Sequence, residues 1–284
     1  MTFIRFFLIL LILLSASSIQ AEKIRFLVSY EDIEQEPYAV GNGQSIPEKP
    51  GITIEMILML KDYLPDLSIE FRRTPWKRCL KELSSGKVDA VFIASYKPDR
   101  LKMGAYPMQK GLVDKSRRLA TITYSFYKIK GTRFGWNGKR IKNFYSGKVG
   151  APTGYSIVSD LRKLNIPVEE ARSTYQNFQK LITNRVELVA TQIISAEPVI
   201  KRNPEFRDIV KINPSIISKE YYMMISHQFV QSHPQLSEKI WDTLAEIREK
   251  KIDALAIKYM NKHPVNDGPI QTHKYLQYTR LMLS

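Results

Sequence analysis

Residues 76–107 constrain the fold more than any other stretch of the chain. They read WKRCLKELSSGKVDAVFIASYKPDRLKMGAYP. The spacing predicts a short helix over 76–85, with Gly86 just past its end, where a left-handed backbone favours glycine. An apolar strand follows over 88–94 and runs into a polar loop that ends in Arg100. In an open α/β sheet, ligands sit at the loops beyond the carboxyl ends of the strands. An arginine there is a planar fork for a carboxylate or phosphate. The segment therefore predicts a small-molecule site.

The flanking sequence fits such a sheet. Ile24, Phe26 and Val28 predict a strand over 24–28, followed by a long loop carrying Glu36-Pro37-Tyr38 and Gly41-Asn42-Gly43. Ile54, Ile57, Leu60 and Leu64 recur at helical spacing over 51–64, and Pro65 stops the run. Ile69 and Phe71 mark another short strand. The order β-α-β-α-β argues a parallel sheet with helices on its faces. It recurs downstream: a strand over 148–151, the loop Pro152-Thr153-Gly154-Tyr155, a helix over 156–164, a short strand at Pro167-Val168, a helix over 175–183 and a strand over 186–190. GKVDAV at 86–91 parallels NRVELV at 184–189. The tail predicts a strand over 221–226 and two amphipathic helices over 235–250 and 252–261, while 264–284 has weak periodicity.

The first residues read as a cleaved leader. Arg5 supplies a positive start, and the apolar run over 6–14 is too short to span a bilayer as a mature helix. Cleavage after Ala21 is expected, and no cysteine lies there for a lipid anchor. Removing 21 of the 284 residues leaves 263, enough for one large domain or two lobes. No later run is long and apolar enough to cross a membrane. Cys79, the single cysteine, falls on the apolar side of its helix and reads as a buried core thiol, so no intramolecular disulfide forms.

The formal charge is +15, with lysine and arginine spread through the chain. The densest cluster holds seven basic residues over 128–148. This reads as a solvated basic surface, and an exported protein is not expected to meet nucleic acid. His227, His233, His263 and His273 show no metal-ligand spacing. There is no G-x-S-x-G elbow and no G-x-x-x-x-G-K phosphate loop. Asp89 and Glu187 sit at matching corners of separate units rather than in one site. No metal, cofactor or catalytic residue is expected.

At these residues the chain resembles the family 3 extracellular solute-binding proteins, the periplasmic components of polar amino-acid ABC importers. The resemblance rests on the order of weak pieces: Glu36-Pro37-Tyr38 with Gly51-Ile52-Thr53-Ile54-Glu55, Gly86-Lys87-Val88-Asp89-Ala90, Pro98-Asp99-Arg100 with Tyr106-Pro107, Gly147-Lys148-Val149-Gly150 with Thr153-Gly154, and Tyr221-Tyr222 with His233-Pro234. It spans roughly residues 24–259 and implies a two-lobed type II periplasmic binding protein fold of the α/β class. Each lobe would be a mostly parallel sheet flanked by helices, and two hinge strands would join them. The expected division is a signal peptide over 1–21, one lobe from 22–125 plus 221–284, and the other from 126–220.

The resemblance also implies site roles. Arg100 would hold a ligand carboxylate, with Ser95 as the small hydroxyl five residues before it. Thr153 and Gly154 would complete the carboxylate site from the second lobe. Gln192 stands where the family has an aspartate for the α-ammonium, and a neutral amide supplies no charge there. The ligand is then a carboxylate without an α-ammonium or a polar solute of another class. Tyr30, Tyr38, Trp76 and Tyr155 would wall the pocket. The implied setting is a monomer in the periplasm that hands a small-molecule ligand to an ABC permease or a membrane receptor. Enzymes on the same scaffold, such as periplasmic cyclohexadienyl dehydratases, are the alternative.

Overall fold

A computed structural model of the protein describes residues 23–145 and 147–260. The expected leader and the tail over 264–284 lie outside the described residues.

The first half is built on three parallel strands, β1 (Ile24–Glu31), β2 (Leu67–Thr74) and β3 (Ala90–Ser95), in the order β2-β1-β3. All six residues of β3 are buried, as befits a strand covered on both faces. Helices α1 (Ile52–Leu58), α2 (Leu60–Tyr63) and α3 (Trp76–Ser84) connect the strands. The helix expected over 51–64 is divided at Met59, whose backbone nevertheless stays helical. Cys79 is fully buried on α3, where its thiol donates to the Thr74 carbonyl at 3.2 Å. Burial pushes that thiol up to about 12, so it is held as an inert thiol.

A long strand, β4 (Ala120–Ile129), leads into the second half. There β5 (Val149–Pro152), β6 (Val168–Ala171) and β7 (Leu188–Gln192) form another parallel set in the order β6-β5-β7. Helices α4 (Ser156–Lys163), α5 (Thr174–Ile182) and α6 (Ile193–Arg202) belong to this half. A short strand, β8 (Ile209–Lys211), pairs with the end of β4, and β9 (Ile217–Ile225) returns to the first half. The result is one nine-stranded sheet in the order β6-β5-β7-β4-β9-β3-β1-β2, with β8 on β4. β4 runs antiparallel to β7 and β9, and β9 antiparallel to β3. These two strands join the halves. β4 was not among the strands read from the sequence, and β9 begins four residues before the strand expected there.

The chain closes with α7 (His227–Ser232) and α8 (Pro234–Met260). The two expected helices are one 27-residue helix. Lysines at 250 and 251 are good helix formers, and Ile247 and Ile252 both stay buried across the expected break. Ile240, Leu244 and Ile247 bury completely against the first half, each side chain contributing about 1.5–3 kcal/mol. Trp241 donates its indole N–H to the Met223 carbonyl at 3.0 Å. Tyr259 accepts from the Gly51 N–H at 2.9 Å and donates to Glu55 on α1.

Gly51 is where that helix, α1 and the 30–50 loop converge. Its φ is +118°, and a Cβ would sit 2.5 Å from the Tyr38 carbonyl oxygen. Gly51→Ala is expected to lower stability by about 2–3 kcal/mol through left-handed strain and this clash. An unchanged denaturant midpoint would show that the turn is not held as described.

Candidate functional site

The carboxyl ends of β1, β3 and β7, the start of α4 and the crossing strands converge on one cavity of about 20 Å³. That is room for about one water molecule. Tyr30, Trp76, Ser95, Arg100, Tyr155 and Gln192, all predicted from the sequence, line it. Glu31, Gln35, Ser156, Tyr124 and Tyr221 line it as well and were not predicted. Tyr38, Thr153 and Gly154 are not among the lining residues.

Arg100 follows β3 on a 3₁₀ turn (Pro98–Lys102) and is 5% exposed. One guanidinium nitrogen donates to the Ser95 carbonyl at 2.9 Å and to the Ser95 hydroxyl at 3.2 Å. The other donates across the cleft to the Gly154 carbonyl at 3.3 Å. The guanidinium lies 5.4 Å from the centre of the Trp76 ring, a cation–π contact that also fixes the ring. Tyr106 donates to the same Ser95 carbonyl at 2.8 Å. The Ser95 hydroxyl donates to the Ser156 hydroxyl at 2.9 Å, a second bond between the halves. Behind Ser156, Lys219 on β9 donates to its hydroxyl at 3.0 Å and pairs with Asp160. Burial lowers the Lys219 pKa, and the Asp160 carboxylate opposes that shift.

The second-half loop is arranged differently from the expectation. Gly154 has φ +76°, and a Cβ there would lie 3.1 Å from Lys77 on α3, so the residue needs both the left-handed backbone and the close approach between halves. Its N–H donates to the Glu170 carboxylate at 3.0 Å, and the Thr153 N–H to the Ala171 carbonyl at 2.9 Å. Glu170, itself paired with Arg162 at 2.8 Å, thus occupies the backbone nest that the resemblance gives to a ligand carboxylate. Tyr38 packs into the core of the first half, 3% exposed.

Gln192 ends β7 and is 1% exposed. Its amide nitrogen donates to the hydroxyls of Tyr124 at 3.1 Å and Tyr221 at 3.0 Å. Those two hydroxyls are 2.7 Å apart and belong to the two crossing strands. Its carbonyl oxygen accepts from Ser195 at 3.3 Å. Gln192 therefore serves the junction of β4, β7 and β9.

Glu31, the last residue of β1, brings the negative group. Its carboxylate accepts from the Tyr155 hydroxyl at 2.5 Å and from the Gln35 amide at 2.7 Å. Gln35 also donates to the Tyr155 oxygen at 2.9 Å. Burial raises the Glu31 carboxyl to about 7, although both hydrogen bonds favour its ionised form. The strand expected over 24–28 stops three residues short of it. Continuing the alternation of Ile24, Phe26 and Val28 reaches Tyr30, and Glu31 falls on the opposite phase, which no apolar periodicity marks.

Ion pairs close the rim beside Glu31. Arg172 meets Asp32 at 2.5 Å, and Arg202 meets Glu34 at 2.6 Å and also Glu36. Both arginines are partly exposed, which limits each pair to about 0–1 kcal/mol. Among the described residues, no group of three His, Cys, Asp or Glu could hold a metal ion, and no helix is long and apolar enough to cross a membrane.

Solved structures share the fold. A histidine kinase sensor domain with similarity to periplasmic binding proteins matches at a TM-score of 0.66 and 14% identity, covering 84% of this chain and 97% of that one. An ancestral arginine-binding protein bound to glutamine matches at 0.64 and 18%, covering 83% and 97%. The fold is that of the two-lobed periplasmic binding proteins. The GluR0 ligand-binding core from Nostoc punctiforme in complex with L-glutamate matches at 0.62 and 13%, covering 82% and 98%. No protein-family model and no curated protein matches the chain.

The raised Glu31 carboxyl has a sign. The unfolded carboxyl titrates near 4.5 and the folded one near 7, so the folded state binds more protons between these values. Stability from this group is full below about 4.5 and is lost as pH rises through about 7. Glu31→Gln is expected to remove that part of the slope in a series of thermal melts from pH 4.5 to 8. An identical slope in the variant would assign it to other groups.

Proposed function

We propose that the protein is a solute-binding protein that captures a small polar or anionic solute in the cleft between its two halves and does not transform it. The observation that carries this reading is Arg100. A buried guanidinium lines the cavity, reaches both halves through Ser95 and Gly154, and is poised for a carboxylate. A ligand held from both sides binds the closed state better than the open one, which is the condition for ligand-driven closure. Arg100 is buried where the halves meet, so a solute reaches it only when they part. The two-lobed fold supports the same reading. Lobes divided as 22–125 plus 221–284 and 126–220 have boundaries inside β4 and β9, where a hinge would bend.

The site favours binding over catalysis. Ser156 has an amine 3.0 Å away, but Lys219 donates to both the Ser156 hydroxyl and the Asp160 carboxylate, and no separate base is placed among the described residues to take the hydroxyl proton. The residues 1–21 support export to the periplasm, where the closed lobes would present one surface to an ABC permease or a membrane receptor, with the protein acting as a monomer.

Native mass spectrometry of the purified protein would identify a retained solute. Arg100→Ala is expected to abolish the thermal shift that the solute produces, a loss in affinity of about 100-fold or about 2.7 kcal/mol, as for a hydrogen-bonded charged pair. An undiminished shift would remove Arg100 from the site.

A further inference from the structure

The chain carries no Asp or Glu over 115–159, and its densest basic run lies inside that stretch. The middle of the run folds as a small hairpin on the second half, Gly135–Trp136 paired with Ile141–Lys142. Trp136 is buried against Phe126, with ring centroids 5.1 Å apart, and Phe134 meets Phe144 at 6.3 Å. The Asn137 side-chain oxygen accepts from the Lys139 and Arg140 N–H groups at 3.0 and 2.8 Å, which fixes the tip. The Asn143 amide donates to the Arg133 carbonyl at 2.7 Å. The Lys128 ammonium donates to the carbonyls of Thr132 and Phe134, both at 2.8 Å. The hairpin is therefore held in one shape by its own side chains.

Trp136 and Ile141 oppose each other and pack on the core. Gly135 and Lys142, one position along each strand, face away. Lys130, Arg133, Lys139, Arg140 and Lys142 are all exposed. Among the described residues, none of these five cations forms an ion pair, whereas Arg162, Arg172, Arg185 and Arg202 of the same half each meet a carboxylate. Beside Lys130, the Asp208 carboxylate lies 3.9 Å from Arg207. Tyr145, just past the hairpin, is 91% exposed. Like charges gathered on so short an element repel one another, and no carboxylate of the hairpin offsets them.

We propose that this hairpin is a docking face for an anionic phospholipid surface. None of its cations lines the cleft cavity. They are spread along the strands and tip, an arrangement that matches a repeating array of phosphates rather than one bound solute. Lysine and arginine meet the phosphates, arginine as a two-pronged donor. The Tyr145 ring rests at headgroup level, where tyrosine is favoured because one end is apolar and the other wet. No helix among the described residues is long and apolar enough to cross a membrane, so the contact is peripheral. This docking is independent of what the cleft binds.

Co-sedimentation of the full chain with vesicles tests the proposal, using phosphatidylcholine alone and phosphatidylcholine mixed equally with phosphatidylglycerol. The neutral vesicles measure any contribution from the apolar run over 6–14. Binding to the mixed vesicles is expected to be at least about 10-fold tighter at about 0.1 M salt and to vanish near about 1 M, where charges act over only about 3 Å. The triple variant Lys139→Glu, Arg140→Glu, Lys142→Glu is expected to lower it at least about 10-fold. The same change of charge on exposed positions of the first half, Lys61→Glu, Lys81→Glu, Lys87→Glu, is expected to lower it less than about 3-fold. Glutamines at the three hairpin positions, with thermal melts of every variant, separate lost charge from lost fold, and are expected to weaken binding without moving the midpoint. Tyr145→Ser is expected to weaken binding about 3-fold with the salt dependence unchanged. Equal losses from the two glutamate variants would overturn the proposal and assign binding to diffuse net charge. No preference for the phosphatidylglycerol vesicles would overturn it as well, while leaving the solute-binding reading untouched.

Discussion

Tyr124, Tyr221 and Gln192 meet in a buried triangle of hydrogen bonds where β4, β9 and β7 come together. Each hydroxyl and the amide would be costly to bury alone, and each is satisfied by the others. The triangle ties the strands that cross between halves to the last strand of the second half. The side chains above it, on β3 and α4, inherit their positions from that junction. Arg100 reaches Gly154, and Ser95 reaches Ser156, because the sheet is continuous through this point.

The site built on this frame is largely self-satisfied. Arg100 is held by Ser95 and Gly154, Glu31 by Tyr155 and Gln35, and the Gly154 amide by Glu170. The protein thus supplies its own stand-ins for much of what a solute would offer. Under the proposed role, recognition would exchange one set of hydrogen bonds for another, and selectivity would depend on charge placement more than on the number of contacts. The acceptors on Gln35 and Tyr30 that remain unmatched mark where that exchange yields a net gain.

Much of this was legible in the sequence. The two β-α-β-α-β runs and the matching corners at Gly86 and Asn184 marked the halves, and the strand-to-arginine motif pointed to Arg100 with Ser95, which line the cavity. β4 carries a readable signal, since Ala120, Ile122, Tyr124 and Phe126 alternate with Thr121, Thr123 and Ser125, but this alternation was not among the strands read. Helix α8 was cut in two because its apolar stripe drifts, although Ile247 and Ile252 are on the same buried side. Glu31 escaped for a different reason: a carboxylate at a strand end reads as solvent-facing until the second half is placed over it. Thr153 and Gly154 were legible as a loop, but the carboxylate of Glu170, sixteen residues on, already takes the nest.

The rim ion pairs have a bearing on access. Arg172–Asp32 and Arg202 with Glu34 and Glu36 bridge the two halves at the rim. Under the proposed binding role, a solute would enter through a parted state, whose population would scale its apparent affinity. These partly exposed pairs weaken as the Debye length shrinks from about 10 Å at 0.1 M salt to about 3 Å at 1 M. The cleft is therefore gated in part by the surrounding electrolyte, with dilute medium favouring a shut protein and brine a more accessible one.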